Sequence, residues 1–287
     1  MLVWFAAACV LLTPIKGMAP VEDETPTMVA QAATPTQQPT AIVTPQPTAT
    51  EITPDLEMVT RLLEEDSNSD LVVSAWYPFI QGGSDLAGVG QYNQYAQDTL
   101  QNDLDAFKAS LADFPEVTEI PYPSTYINGY QVFSATSDLV SLELDMSTYV
   151  TGAAHPNPYT ITINYDLSGG KPLALADLFE PGSAYLEKLS SLAKTSLEER
   201  EMLYFEDGVQ PNEENFRTWV ISEDGLTLIF DVYQVAPYVA GPQRVTIPFD
   251  ELGDILNQEI LQGLSAIPIT VDPIQLPIIY PQASQTP

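Results

Sequence analysis

The sequence predicts an α+β fold with mixed, largely antiparallel sheets and one long helix per half, preceded by a disordered Thr/Pro-rich spacer. Three observations lead there. Residues 159–165, Tyr-Thr-Ile-Thr-Ile-Asn-Tyr, alternate polar and apolar side chains, the period of a strand with one buried face. Tyr92, Ala96, Leu100, Leu104, Phe107 and Leu111 recur at intervals of three and four, which lays one apolar stripe along a helix. From Met18 to Pro54 the chain turns to Thr, Pro, Gln and Ala, with Thr-Pro steps at 25–26, 34–35, 44–45 and 53–54, and too few apolar side chains to form a core. Beyond that stretch, a chain of 287 residues with 45% hydrophobic and 9% aromatic content has enough apolar surface to bury.

The elements follow in order. Residues 71–77, Leu-Val-Val-Ser-Ala-Trp-Tyr, are β-formers stopped by Pro78. A loop containing Gly82, Gly83, Gly88 and Gly90 leads to the long helix, whose polar face carries Asp98, Asp103 and Asp105. Residues 126–136 and 139–150 suit two strands joined by a tight turn at Ser137-Asp138. After a loop at 151–158 comes the alternating strand, then a turn at 166–171. Leu186, Leu189, Ala193 and Leu197 mark a second helix. Residues 219–221, 226–235 and 244–247 supply three more strands, the first two joined across Ser222-Glu223-Asp224-Gly225. A short helix from Phe249 closes the sheet.

The ends read differently. The opening run from Met1 to Leu12 is apolar but shorter than the roughly 20 residues that span a bilayer, so residues 1–17 are expected to be an export signal or the remnant of a lipoprotein signal. Ala6-Ala7-Ala8 directly before Cys9 makes Cys9 the candidate for lipidation, with cleavage near Ala19 as the alternative. Residues 18–54 are the spacer, biased by proline to an extended polyproline II path of the kind that lifts an exported domain off a surface. The body is expected to divide into α+β domains at 55–150 and 151–262. The Pro-rich tail at 263–287 is expected to lay its apolar half in an extended groove of the body.

Composition bounds the function. Nine Lys and Arg against 39 Asp and Glu give a net charge of −30, which repels phosphate backbones and anionic headgroups; nucleic acid is excluded as a partner, and a membrane is met only through an N-terminal anchor. One Cys and one His exclude zinc sites built from several such ligands, an internal disulfide and a Cys–His nucleophile. Asp66-Ser67-Asn68-Ser69-Asp70 begins like a calcium loop, but Leu71 stands where a turn glycine belongs and the distal Glu is missing. Neither a cofactor nor a metal is expected. Asp and Glu pairs are too frequent in this chain for any one to stand out as a general acid and base, so no catalytic residue is assigned.

The segment Tyr149-Val150-Thr151-Gly152-Ala153-Ala154-His155-Pro156-Asn157, with Asn164-Tyr165-Asp166-Leu167, Gly170-Lys171 and Leu175-Ala176-Asp177-Leu178-Phe179, resembles the domain of unknown function family 3298. Tyr233-Gln234-Val235-Ala236-Pro237-Tyr238-Val239-Ala240-Gly241 and Val245-Thr246-Ile247-Pro248-Phe249-Asp250-Glu251-Leu252 extend the likeness. Upstream, Trp76-Tyr77-Pro78 and the helix after Asn93 are similar to the PdaC-type domain that commonly precedes it. Together the two resemblances cover roughly residues 68–262. They imply a module found outside bacterial cells, next to polysaccharide deacetylase domains or as the sensor part of an anti-sigma factor that recognises lysozyme. The single His cannot supply the paired metal ligands of such a deacetylase.

The expected function is therefore a non-enzymatic binding or sensing module at the bacterial cell surface, for a cell-wall glycan or a basic protein such as a lysozyme. The alternative is a cell-wall hydrolase or deacetylase accessory with unrecognised carboxylate chemistry. Tyr149, His155, Asn157, Tyr233 and Tyr238 are the candidate binding residues, because rigid Pro/Gly loops there combine with flat aromatic surface and the His155 loop is expected beside the Pro237–Pro242 loop. Ordering a residue costs about 1–2 kcal/mol of backbone entropy that the spacer cannot offset. Limited proteolysis should accordingly cut between Met18 and Pro54 and leave a resistant fragment beginning between Asp55 and Leu71, read by mass spectrometry.

Overall fold

The computed structural model describes residues 55–67, 70–83, 86–114, 122–200 and 204–272. Cys9, the 1–17 signal, the 18–54 spacer, residues 273–287 of the tail, and Asn68 and Ser69 of the calcium-like stretch lie outside the described residues. In chain order the elements are β1 (Glu57–Ser67), β2 (Leu71–Gln81), α1 (Ala87–Ser110), β3 (Ser124–Ala135), β4 (Leu139–Tyr149), β5 (Asn157–Asp166), β6 (Lys171–Pro172) and α2 (Tyr185–Glu198). They continue with β7 (Trp219–Ser222), β8 (Gly225–Phe230), β9 (Gln243–Ile247), α3 (Phe249–Leu252), α4 (Gln258–Leu264) and β10 (Thr270–Val271). Among the described residues, seven strands form one sheet in the order β10-β1-β2-β3-β4-β5-β6 and three form another in the order β7-β8-β9. The β1/β10 and β2/β3 pairs are parallel and the others antiparallel. This is the mixed, largely antiparallel α+β class expected.

Strand β4 explains how the layers stack. Val140, Leu142, Leu144 and Met146 join the core under α1, where Val89, Tyr92, Ala96, Leu100 and Leu104 are buried. Burying each such large apolar side chain contributes roughly 1.5–3 kcal/mol. Gly88 opens α1 because a Cβ there would stand 1.8 Å from the Leu167 carbonyl oxygen. The alternate residues Ser141, Glu143 and Asp145 face the other way. There α2 and the smaller sheet gather around Leu189, Ala193, Leu197, Trp219, Leu228 and Phe230. Asp103 ties α1 to the sheet by accepting hydrogen bonds from the hydroxyls of Tyr126 at 2.9 Å and Tyr159 at 2.6 Å.

Several boundaries differ from expectation. β1 was not among the expected elements; beyond Glu57 and Met58, which pair with β10, it has a single flanking strand among the described residues, and its sequence there holds Arg61, Glu64, Glu65 and Asp66, charges of the kind an edge strand carries. Gly88 and Gly90 lie in the helix rather than in a loop. The expected 226–235 strand ends at Phe230, since residues 231–236 fold back with Gln234 N–H on the Asp231 carbonyl and Tyr233 N–H on the Ala236 carbonyl, both at 3.1 Å. The tail supplies α4 and then runs extended: Ile269 N–H bonds the Ala135 carbonyl at 2.9 Å, and Thr270–Val271 become β10. β4 and β5 pair from Leu139/Asp166 to Thr148/Asn157, so one sheet runs across position 150.

β2 continues past Pro78 to Gln81, and the reason is local. Its pairing with β3 extends only over Leu71–Ser74, after which side chains take over the exposed backbone. Asn128 Oδ1 accepts from Trp76 N–H and Asn128 Nδ2 donates to the Trp76 carbonyl, each at 2.8 Å. Asn93 of α1 does the same for Ile80 at 2.8 Å on both sides. Pro78, lying between, has no N–H to satisfy. Asn128 is 3% exposed, so Asn128→Ala would strand two buried backbone groups and should cost about 2–4 kcal/mol. Urea unfolding checks this, with Asn102→Ala on the exposed face of α1 as the near-neutral control.

Candidate functional site

The loop between β4 and β5 turns tightly, with Gly152 at φ 91 and Ala153 N–H on the Val150 carbonyl at 2.9 Å. Thr151 anchors it to the start of β3: its N–H donates to Ser124 Oγ at 3.0 Å and its hydroxyl to the Tyr122 carbonyl at 3.0 Å. His155 follows, exposed, with Nδ1–H on the Pro156 carbonyl at 2.8 Å. The same carbonyl accepts the Tyr238 hydroxyl at 3.0 Å. The rings of His155 and Tyr238 lie 4.2 Å apart, and Tyr233 stands 5.6 Å from Tyr238. The two loops therefore meet at one end of the sheet, as the sequence led us to expect.

Tyr233 is 59% exposed, and it holds φ 67 without being glycine. That left-handed backbone costs of order 1 kcal/mol. The turn is fixed from below, since Gln234 Nε2 donates to the Asn215 carbonyl at 2.8 Å and to the Gly208 carbonyl at 3.2 Å.

Beside His155 lies an apolar groove of about 430 Å³, lined among others by Tyr122, Thr125, Ile127, Ser147 and Tyr149. Thr125 pairs with Tyr149 and Ile127 with Ser147, so the floor is the continuation of the same β4 face that carries Glu143 and Asp145. Tyr149, His155, Tyr233 and Tyr238 are thus brought together. Asn157 opens β5 as an exposed residue whose carbonyl accepts the Thr148 hydroxyl at 3.4 Å; its neighbour Pro156 makes the contact with Tyr238.

Sequence reasoning missed the charged group beneath this surface. Glu143 is fully buried, and both of its oxygens accept from the Arg244 guanidinium, one at 2.9 Å. Asp145 Oδ1 lies 3.8 Å from Arg244 Nη2, while its Oδ2 is buried without a hydrogen-bond partner among the described residues. Burial, then the neighbouring Glu143, push the Asp145 carboxyl up to about 6, against the pull of Arg244. Asp231 accepts Thr160 N–H at 3.0 Å and is likewise raised by burial, partly offset by that bond and by Arg217 and Arg244. The available signal was the alternation of Ser141, Glu143, Asp145 and Ser147 with apolar residues, which on its own describes a solvated face. Among the described residues no group of three or more His, Cys, Asp or Glu is placed to hold a metal ion. No described helix is long and apolar enough to cross a membrane.

Residues 176–250 match the model of a family described as "Protein of unknown function (DUF3298)". The matched span includes the Tyr233–Gly241 segment and begins after the His155 loop. Over 137 residues the chain is 32% identical to the peptidoglycan-N-acetylmuramic acid deacetylase PdaC of Bacillus subtilis, covering 46% of this chain and 29% of that protein. The chain thus spans less than a third of the length of this curated relative. Two solved DUF3298 proteins are also similar to the chain. The Bacteroides fragilis protein matches at 18% identity and TM-score 0.47, over 74% of this chain and 96% of the other. The Pseudomonas aeruginosa protein matches at 19% identity and TM-score 0.48, over 75% and 96%.

The Asp145 environment has a definite pH signature. Its folded pKa lies above the unfolded value near 3.9, so its stabilising contribution is full below about pH 4 and is lost as pH rises through about 6. The displacement is worth at most about 3 kcal/mol, reduced to about 1–2 kcal/mol by the water that reaches the site. Asp145→Asn should raise the melting temperature above pH 6.5 and narrow its advantage towards pH 4. Thermal melts of both proteins across that range check it.

Proposed function

We propose that this chain is a non-enzymatic extracytoplasmic binding or sensing module, tethered to the cell surface, whose recognition surface surrounds Tyr238. The observation that carries the reading is the convergence of His155, Tyr233 and Tyr238 on one rigid end of the sheet, next to an apolar groove walled by Tyr149. Flat aromatic rings in fixed positions bind with little loss of side-chain freedom. The strained backbone of Tyr233 has no role in the core, since the ring it displays points to solvent. Similarity to a peptidoglycan deacetylase supports a place at the cell wall. The net charge of −30 supports a basic protein such as a lysozyme as partner, drawn in by a field that salt screens within about 8 Å.

Affinity of the full chain for lysozyme and for insoluble peptidoglycan across a salt series tests the reading. Tyr238→Ala should weaken binding about tenfold or more even at high salt, as expected of a central aromatic contact. Tyr233→Gly should weaken binding while the melting temperature holds or rises, because glycine relieves the left-handed backbone. Loss of all binding at high salt with no effect from either substitution would reduce the interaction to charge.

A second reading is favoured by one observation. Asp145, raised to about 6 beside Glu143, has the protonation behaviour of a general acid and would suit an accessory protein with carboxylate chemistry. Turnover of peptidoglycan fragments by the full chain, abolished in Asp145→Asn, would establish it. Absence of turnover returns the group to a structural role.

A further inference from the structure

The outer edge of β5 is open in its middle. β6 pairs with β5 at Tyr165 and Asp166, and Leu173 N–H bonds the Asn164 carbonyl at 2.8 Å. Four residues before Asn164 along β5, the Asp231 carboxylate takes Thr160 N–H at 3.0 Å. In an antiparallel ladder alternate residues turn their backbone groups the same way, so Thr162 directs its N–H and C=O outward between those two fixed points.

In front of Thr162 lies a cleft of about 340 Å³, lined among others by Tyr95, Tyr185, Glu213, Arg217 and Trp219. That is within the roughly 300–1,000 Å³ typical of small-ligand sites. Its floor is fixed: Asn164 Nδ2 donates to the Trp219 carbonyl at 2.8 Å, its Oδ1 accepts Ser141 Oγ at 2.6 Å, and Ile221 N–H bonds Ser141 Oγ at 2.8 Å. The phenol walls are fixed as well. Tyr185 stacks on Phe179 with ring centres 4.7 Å apart and planes at 13°, and Tyr95 leans on Tyr165 at 5.4 Å. Burial, then the neighbouring Glu213 carboxylate, push the Tyr185 phenol up, and Arg217, 62% exposed, stands at the rim with Nη1 on Glu214 at 2.8 Å.

We propose that this cleft is a saccharide site that takes an N-acetylated amino sugar carrying a carboxylate, the chemistry of an N-acetylmuramic acid unit. The inference rests on the cell-wall reading above and assigns a sugar to a site distinct from the Tyr238 surface. The acetamido carbonyl accepts Thr162 N–H, and because the N–H and C=O of one planar amide point opposite ways, a neighbouring ring hydroxyl donates to the Thr162 carbonyl. The apolar C–H face of the ring lies against Tyr95 or Tyr185. Glu213 accepts from ring hydroxyls, and Arg217 meets the carboxylate.

The test titrates the full chain with three disaccharides: N-acetylglucosamine–N-acetylmuramic acid, N,N′-diacetylchitobiose and cellobiose. Amide and indole NMR shifts of Thr162 and Trp219 and the intrinsic fluorescence are the readouts. The first ligand should shift both residues, and diacetylchitobiose should bind about five-fold more weakly, the measure of one exposed ion pair. Arg217→Gln, a surface change, should erase that difference, and cellobiose should shift neither residue. Shifts absent from Thr162 and Trp219, the five-fold preference kept in Arg217→Gln, or equal shifts from a cell-wall stem peptide alone would each overturn the proposal. Capture of the chain by peptidoglycan through Tyr238 without these shifts would sink the cleft and leave the proposed function standing. Shifts at the cleft, with partner binding indifferent to Tyr238→Ala, would do the reverse.

Discussion

The polar face of β4 is the constraint on which the rest of the structure depends. A strand buried on both faces is ordinarily apolar on both, yet Ser141, Glu143 and Asp145 lie beneath the second half. Two of them make directional contacts, Ser141 with Ile221 and Asn164 and Glu143 with Arg244, while Asp145 lies 3.8 Å from the same guanidinium. Apolar packing would tolerate the smaller sheet at many angles over the larger one. These bonds admit one placement, because sliding the smaller sheet by a residue would leave the buried Glu143 carboxylate without Arg244 of β9, and the Asn164 amide and Ser141 hydroxyl without the Trp219 and Ile221 backbone groups of β7. A buried ion pair adds little net stability over an apolar pair, but losing one partner costs several kcal/mol. The seam therefore acts as a register device.

The groove beside His155 and the cleft before Thr162 are by-products of that placement. The groove at Tyr149 is the part of the β4 face that the second half does not reach, and the cleft at Thr162 is the part of the β5 edge that β6 does not reach. The aromatic end is equally a matter of backbone. One carbonyl, that of Pro156, collects both the imidazole and the Tyr238 phenol, so a peptide group with no side-chain chemistry sets the spacing of the displayed rings.

What could be read in the sequence was whatever depends on neighbours along the chain. The alternation at 159–165, the stripe from Tyr92 to Leu104 and the hairpin at Ser222–Gly225 all carry their period or turn chemistry locally. The meeting of the His155 and Pro237 loops could be anticipated too, because each follows or precedes a strand that ends at the same rim. β1 could not, since its charges obey an edge strand's needs and look like a loop's. Glu143 and Arg244 lie 101 positions apart, and no local pattern says that a second layer will cover a polar strand face. The cleft was hidden for the same reason, being assembled from α1, β5, the turn before α2 and the approach to β7.

The pairing of β10 has a mechanical consequence. A pull arriving from the N-terminal side enters the described body at the start of β1, whose ten pairs with β2 would open one after another if the first gave way. Those first residues, Glu57 and Met58, are the two that β10 grips from the opposite flank, through Thr270 and Val271. Peeling must begin where the strand is held on both sides. The last described strand of the chain thus works as a rivet at the point of load, and traction from that direction is spread across the whole sheet before any single strand can be stripped away.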